Sequence, residues 1–103
     1  MTAHKLIPEV DGELILSTGN TRVYAAGKVV SVVYDATVST AATWTYLAGT
    51  IPDGYRPAST LYNIAFDNGN RVARILVNAG GQIGGYVQVA GARLWGTVTY
   101  IAA

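Results

Sequence analysis

The chain has 103 residues, a net charge of +1 and no cysteine, and hydrophobic residue types make up 50% of it. This length fits one domain with one core, and the composition excludes disorder, a disulfide framework and a thiolate metal site. Nucleic acid is also excluded as a partner, because the seven basic residues are scattered from Lys5 to Arg93.

The surface chemistry indicates association rather than membrane insertion. Charged residues are 13% of the chain, against about 25% in typical domains, so we expect other subunits to cover part of the surface. Gly, Thr and Ser break every apolar run well short of a membrane span, and the N-terminus lacks a signal pattern. We therefore expect a soluble protein made in the cytoplasm, with no membrane partner. Because His4 is the only histidine, we expect no metal or cofactor.

Runs rich in β-branched and aromatic residues, separated by Gly, Asn, Asp and Pro, predict an all-β fold. In chain order we expect strands at 13–18, 22–25, 28–34, 43–48, 61–66, 71–78, 82–89 and 94–101. Their spacing is typical of a β-sandwich or barrel. We assign residues 1–12 to an N-terminal arm or linker and 13–103 to a single β-sandwich domain.

The second half of the chain predicts a meander. Strands 61–66 and 71–78 flank the turn residues Asp-Asn-Gly-Asn at 67–70, and a second turn leads into 82–89. The segment 51–57 carries two prolines and a glycine, so we expect a structured loop there.

Strand parity predicts which faces are covered. In 28–34 and 71–77 apolar residues occupy both parities, so the second face of each strand needs another subunit, because the sequence predicts no helix. In 61–66 the alternation separates core from surface, and we expect Tyr62 and Phe66 to point into the core together with Ile64.

Aromatic residues are the candidates for ligand binding, because flat rings beside neutral polar groups suit the apolar faces and hydroxyl edges of sugars. Tyr86 shares a predicted strand face with two glutamines, and Trp95 follows Arg93 at a strand start. Arg74 is either an ion-pair partner at a subunit interface or a binding-site arginine. The candidate ligand-binding residues are Arg74, Tyr86, Arg93 and Trp95.

Catalysis is not expected. The serines have no histidine available except His4, and the six carboxylates fall largely on predicted loops or strand ends. A glycosidase would need two of those carboxylates to converge from separate loops. The glycine pairs at 80–81 and 84–85 lack a following helix and a basic residue, so we interpret them as a hairpin turn and a site of close backbone approach rather than a phosphate loop.

Three segments carry a family resemblance. They are Ile-Pro-Asp-Gly-Tyr-Arg-Pro-Ala at 51–58, Arg-Val-Ala-Arg-Ile-Leu-Val-Asn-Ala-Gly-Gly-Gln-Ile at 71–83, and Gly-Thr-Val-Thr-Tyr-Ile at 96–101. This order resembles the C-terminal head domains of phage tail fibres and siphophage receptor-binding proteins. The resemblance covers about half of the chain, 51–103, and its loop and hairpin motifs are mainly structural.

The resemblance implies an antiparallel Greek-key sandwich or barrel that forms a homotrimeric knob in the virion and docks onto a host-surface saccharide. Where such heads carry His and Asp ligands, this chain has Arg74 and Leu76, so their sugar site does not carry over, although their next aromatic corresponds to Tyr86. A capsid or tail decoration protein is the alternative, with no sugar ligand and with the N-terminal segment bound to other virion proteins.

Overall fold

The computed structural model describes residues 12–103, and all regular structure within them is β-strand. The strands are β1 (Glu13–Thr18), β2 (Thr21–Ala26), β3 (Val29–Val38), β4 (Thr45–Tyr46), β5 (Leu61–Asp67), β6 (Val72–Val77), β7 (Ile83–Tyr86) and β8 (Ala92–Ile101). The all-β prediction is confirmed, although β4 is much shorter than the predicted strand 43–48. No helix that could cross a membrane occurs in this part of the chain. The predicted N-terminal arm, apart from Gly12, lies outside the described residues.

The eight strands form one antiparallel sheet that curls into a half-barrel. Its strand order is β1-β2-β3-β8-β5-β6-β7-β4. The predicted meander is confirmed, since β5, β6 and β7 are hydrogen-bonded neighbours. The two ten-residue strands, β3 and β8, pair along their whole length in the middle of the sheet, so they are the frame on which the other strands are arranged.

The inner face of the curled sheet forms the core, because alternate residues of each strand point to it. In β3 these are Val30, Val32 and Tyr34, all essentially buried. The long loop between β4 and β5 adds Ile51, which is fully buried, with Leu47 and Tyr55 packed against the same cluster. This loop therefore covers the inner face that the half-barrel leaves open.

Hydrogen bonds fix the loop at 51–57 in this position. The Ile51 amide donates to the Gly81 carbonyl at 2.8 Å, and Arg56 Nε donates to the Ile51 carbonyl at 2.7 Å. From β8, the Tyr100 hydroxyl donates to the Tyr55 carbonyl at 2.6 Å. The residues of the Pro-Asp-Gly-Tyr-Arg-Pro segment thus hold the loop against the sheet, as the structural interpretation of this motif predicts.

Two glycines allow close backbone approach. A Cβ at Gly85 would collide with the hydroxyl oxygen of Tyr34 and lie 3.2 Å from Val38 Cγ2. Gly81 has a φ of +83°, and a Cβ there would lie 2.7 Å from the Ile51 carbonyl oxygen. The interpretation of the two glycine pairs as turn and contact positions is confirmed at these residues.

The parity prediction for strand β5 is wrong. Tyr62 and Phe66 lie on the outer face of the sheet, where they are 65% and 56% exposed, and Ile64 points the same way. The inner positions belong to Ala65 and Asp67 instead. A small residue is required there because Ala65 packs beside Gly96, and a Cβ on that glycine would already lie 3.0 Å from Ile75 Cδ1.

Asp67 takes its inward position because the β5–β6 turn satisfies its carboxylate. Its Oδ1 accepts the amides of Gly69 at 2.8 Å and Arg71 at 3.0 Å, and its Oδ2 accepts Arg71 Nε at 3.0 Å. Burial raises the pKa of Asp67, but these hydrogen bonds and the charge of Arg71 together lower it by more. The pKa is therefore below its ordinary value. The sequence places Asp67 among predicted turn residues, and the structure buries it.

The two strands that carry apolar residues on both parities keep part of them exposed. Val29 and Val33 of β3 and Val72 of β6 are each 40 to 44% exposed on the outer face. Leu76 of β6 is buried on that face. Their cover by another subunit stays a prediction.

Candidate functional site

The outer face of the half-barrel carries most of the exposed large apolar side chains among residues 12–103. Those that lie on it by strand pairing are Tyr24, Val29, Val33, Tyr46, Tyr62, Ile64, Phe66, Val72, Trp95 and Ile101. Exposed apolar side chains in one continuous patch indicate a binding or assembly surface, whereas isolated ones are common on any protein. The outer face is therefore the candidate binding or assembly surface.

One aromatic groove forms on the outer face beside the edge strand β4. Tyr46 pairs with Gly84 of β7, so Tyr46 and Trp44, two residues apart, lie on the same side of the sheet. A Cβ at Gly84 would be 3.0 Å from the Tyr46 ring and 3.5 Å from Trp44 Cε3. The missing side chain at Gly84 therefore lets both rings lie down on the sheet.

Trp44 is the centre of an aromatic cluster. Its ring centroid lies 5.8 Å from that of Tyr62 at an interplanar angle of 46°, and 5.4 Å from that of Tyr86 at 57°. Both geometries are tilted contacts of the favourable kind. Arg74 completes the cluster, because its guanidinium carbon lies 5.9 Å from the Tyr86 ring centroid.

These side chains line an open groove of about 590 Å³, formed by Trp44, Tyr62, Asn63, Ile64 and Arg74. We call it the Trp44 groove. The Asn63 side-chain amide donates to the Thr97 carbonyl at 2.8 Å, and Asn63 lies on the opposite strand parity from Tyr62 and Ile64. The groove thus combines a flat apolar wall and a cation, which together can bind a sugar ring by its face and its edges.

A second groove lies on the same face, over strands β3 and β8. Its volume is about 460 Å³, and Val33, Asp35, Arg93, Trp95 and Thr97 are among the lining residues. We call it the Trp95 groove. Arg93 stacks here over Trp95, with its guanidinium carbon 5.4 Å from the ring centroid.

The charge of the Trp95 groove is internally neutralised. Arg93 binds both carboxylate oxygens of Asp35, through Nε at 2.9 Å and Nη2 at 2.8 Å. The hydrogen bond from Arg93 and its positive charge hold the pKa of Asp35 below its ordinary value, and the same pairing raises the pKa of Arg93. The arginine of this groove is therefore already engaged.

The four residues predicted from the sequence all lie on the outer face, as two separate pairs. Arg74 stacks with Tyr86, and Arg93 stacks with Trp95. Strand β5 runs between β8 and β6, so the two pairs do not share one groove. Sequence reasoning missed the roles of Trp44 and Tyr62. For Trp44 the available signal was the alternation Trp-Thr-Tyr at 44–46, which places both rings on one face.

Within residues 12–103, the two aspartates of the strands do not converge on the outer face. Asp35 of β3 points outward, whereas Asp67 at the end of β5 points inward. Strand β8 lies between these two strands. Within residues 12–103, no three His, Cys, Asp or Glu side chains come together as metal ligands would. The chemistry available on this face is aromatic stacking, hydrogen bonding and the positive charges of Arg22 and Arg74, neither of which forms an ion pair in the part of the chain that the structure describes.

No protein-family model matches the chain, and no curated protein matches it significantly. The functional interpretation therefore rests on the fold and the two grooves.

Proposed function

We propose that this chain is a non-enzymatic phage virion protein, the receptor-binding head of a tail fibre or tail tip, which docks to a saccharide of the host surface. The resemblance of 51–58, 71–83 and 96–101 to such heads supports the virion assignment. Synthesis in the host cytoplasm accompanies it.

The single observation that carries the saccharide proposal is the exposed aromatic cluster of the Trp44 groove. Tyr62 is 65% exposed although it contacts Trp44, so a broad ring surface is open to solvent. Sugars present C–H faces that stack on such rings and hydroxyl oxygens that can accept hydrogen bonds from the Arg74 guanidinium. Aromatic rings held together by mutual contacts also lose little freedom when a ligand binds.

We assign the saccharide to the Trp44 groove rather than the Trp95 groove. In the Trp95 groove, Asp35 already binds two nitrogens of Arg93. A ligand would have to compete with that bidentate pair. In the Trp44 groove Arg74 stacks on Tyr86 and forms no ion pair within residues 12–103, so its donors can reach a ligand.

The experiment is a binding screen against purified host cell-wall polysaccharides, followed by two matched tryptophan variants. Trp44→Ala should weaken binding at least about fivefold, because loss of one aromatic stacking surface typically costs about 1 to 3 kcal/mol. Trp95→Ala, which removes the tryptophan of the other groove, should keep the affinity within about twofold. Circular dichroism checks that both variants fold. Absence of binding to any polysaccharide, or equal loss in both variants, would refute the assignment.

We also propose that the head is a Greek-key homotrimer. The order β8-β5-β6-β7, in which β8 returns to lie beside β5, supports the Greek-key interpretation. The exposed apolar residues of β2, β3 and β8, among them Tyr24, Val29 and Ile101, support an interface between copies, because they lie outside the Trp44 groove.

A decoration protein of the capsid or tail, assembled as a trimer without a sugar ligand, is the second candidate. The breadth of the apolar outer face favours it, because that face extends well beyond the groove. Light scattering during size-exclusion chromatography tests association in both cases. A mass three times the 10.8 kDa of the chain together with failure to bind any polysaccharide would select the decoration protein. A monomer would refute the trimer in either role.

A further inference from the structure

The two arginines that stack on aromatic rings differ in their charge environment. Arg93 forms a bidentate ion pair with Asp35 at 2.8 and 2.9 Å. Among residues 12–103, no carboxylate lies within 4.0 Å of a nitrogen of Arg74. Arg74 therefore brings an uncompensated positive charge to the Trp44 groove.

The other carboxylates of the described residues are placed elsewhere. Asp67 is buried in the β5–β6 turn with Arg71, and Asp53 accepts the amide of Gly54 at 3.1 Å. Glu13 lies on β1, at the far edge of the sheet from β7 and β4. Within this part of the chain, the positive charge of the groove has no internal counter-charge.

We propose that the ligand of the Trp44 groove is an acidic saccharide, in which Arg74 binds a carboxylate or phosphate group while a sugar ring stacks on Trp44 and Tyr62. This inference rests on the proposed saccharide-binding function and specifies its ligand class. A guanidinium presents parallel N–H donors that match both anions. The Tyr86 ring beneath the Arg74 guanidinium limits the orientations of that side chain. Part of the entropy that Arg74 would lose on binding a ligand is therefore already lost in the free protein.

The test uses matched pairs of probes in which one member is acidic and the other is neutral. The first pair is an oligogalacturonate and its fully methyl-esterified form, and the second is dextran phosphate and unmodified dextran. We expect the acidic member of at least one pair to bind about tenfold more tightly than its neutral partner, as one charge-assisted contact allows. The advantage should shrink as salt screens the charge. The pair that shows it distinguishes carboxylate from phosphate.

Three variants locate the effect. Arg74→Gln should abolish the preference for the acidic probe, and Arg74→Lys should retain part of it because the charge remains. Arg93→Gln is the control, since it removes an arginine that also stacks on an aromatic ring of the outer face but is neutralised by Asp35. This control should keep the full preference.

The outcomes separate this inference from the function on which it rests. If neutral and acidic probes bind equally through Trp44, or if the acidic preference survives Arg74→Gln, the acidic ligand is refuted and the saccharide function stands. If host polysaccharides and all four probes fail to bind, both are refuted. If Arg74→Gln reduces the solution mass instead, Arg74 is an interface residue and the inference is wrong.

Discussion

Crowding at Gly85 gives a sharp test of the packing that positions β7 and, through it, the Trp44 groove. In Gly85→Ala the new methyl group would lie 3.0 Å from Tyr34 Cζ, 3.2 Å from Val38 Cγ2 and closer still to the Tyr34 hydroxyl oxygen. Both neighbours are essentially fully buried, so neither can move without disturbing the core. Overpacking of this kind costs about 1 to 3 kcal/mol, and we expect about 2 kcal/mol here.

The companion variant Tyr34→Phe removes the oxygen that causes the closest contact. Alone it should change stability by about 1 kcal/mol or less. Combined with Gly85→Ala it should recover at least about 1 kcal/mol of the loss, because the methyl group can then occupy the space of the hydroxyl. The two substitutions should therefore be strongly non-additive.

Urea unfolding followed by tryptophan fluorescence measures all four proteins of this cycle. At the slope usual for a domain of this size, a loss of about 2 kcal/mol lowers the midpoint by about 1 M. If the double variant is destabilised by the sum of the single variants, Tyr34 does not crowd Gly85 and the described packing of β7 is wrong.

Three further outcomes are expected. Gly81→Ala should destabilise by at least about 1 kcal/mol more than Gly91→Ala in urea unfolding, because both glycines have a φ of +83° but only Gly81 faces the Ile51 backbone; equal losses would contradict this. The pKa of Asp67 is lowered on folding from 3.8, so its contribution to stability is complete above that pH and is lost as the pH falls toward the folded-state pKa. Asp67→Asn should flatten that acid decline in urea titrations at several pH values, and an unchanged decline would argue against the role. Ile101→Asp should dissociate the proposed trimer, as measured by light scattering. The control Val89→Asp changes an exposed apolar position outside the strands and should leave the mass unchanged. Dissociation by both variants would point to general destabilisation.

Local patterns were sufficient to predict the strands. The turn residues at 67–70 and 79–81 and the β-branched runs between them gave β5, β6 and β7 in order. Strand β4 was overestimated because the aromatic residues at 44 and 46 have high strand propensity. Only its pairing with Gly84 and Gly85, which lie far along the chain, determines where that strand begins and ends.

Face assignment in β5 could not be obtained from the strand alone. Tyr62, Ile64 and Phe66 form the more apolar parity, and the usual rule places that parity inside. The rule fails because Asp67, on the other parity, is satisfied by its own turn and can be buried. Because Tyr62 points outward, it contacts Trp44 and helps to form the groove. The wrong parity assignment for β5 therefore also hid the site.

The central claim, that a saccharide binds in the Trp44 groove, can be tested most directly by the indole N–H signals of the two tryptophans. The chain has one tryptophan in each groove, so in an ¹⁵N-labelled sample each indole N–H reports on one groove. Titration with a polysaccharide that the protein binds should shift the Trp44 signal and leave the Trp95 signal in place. A shift confined to Trp95, or no shift of either indole at saturation, would contradict the claim.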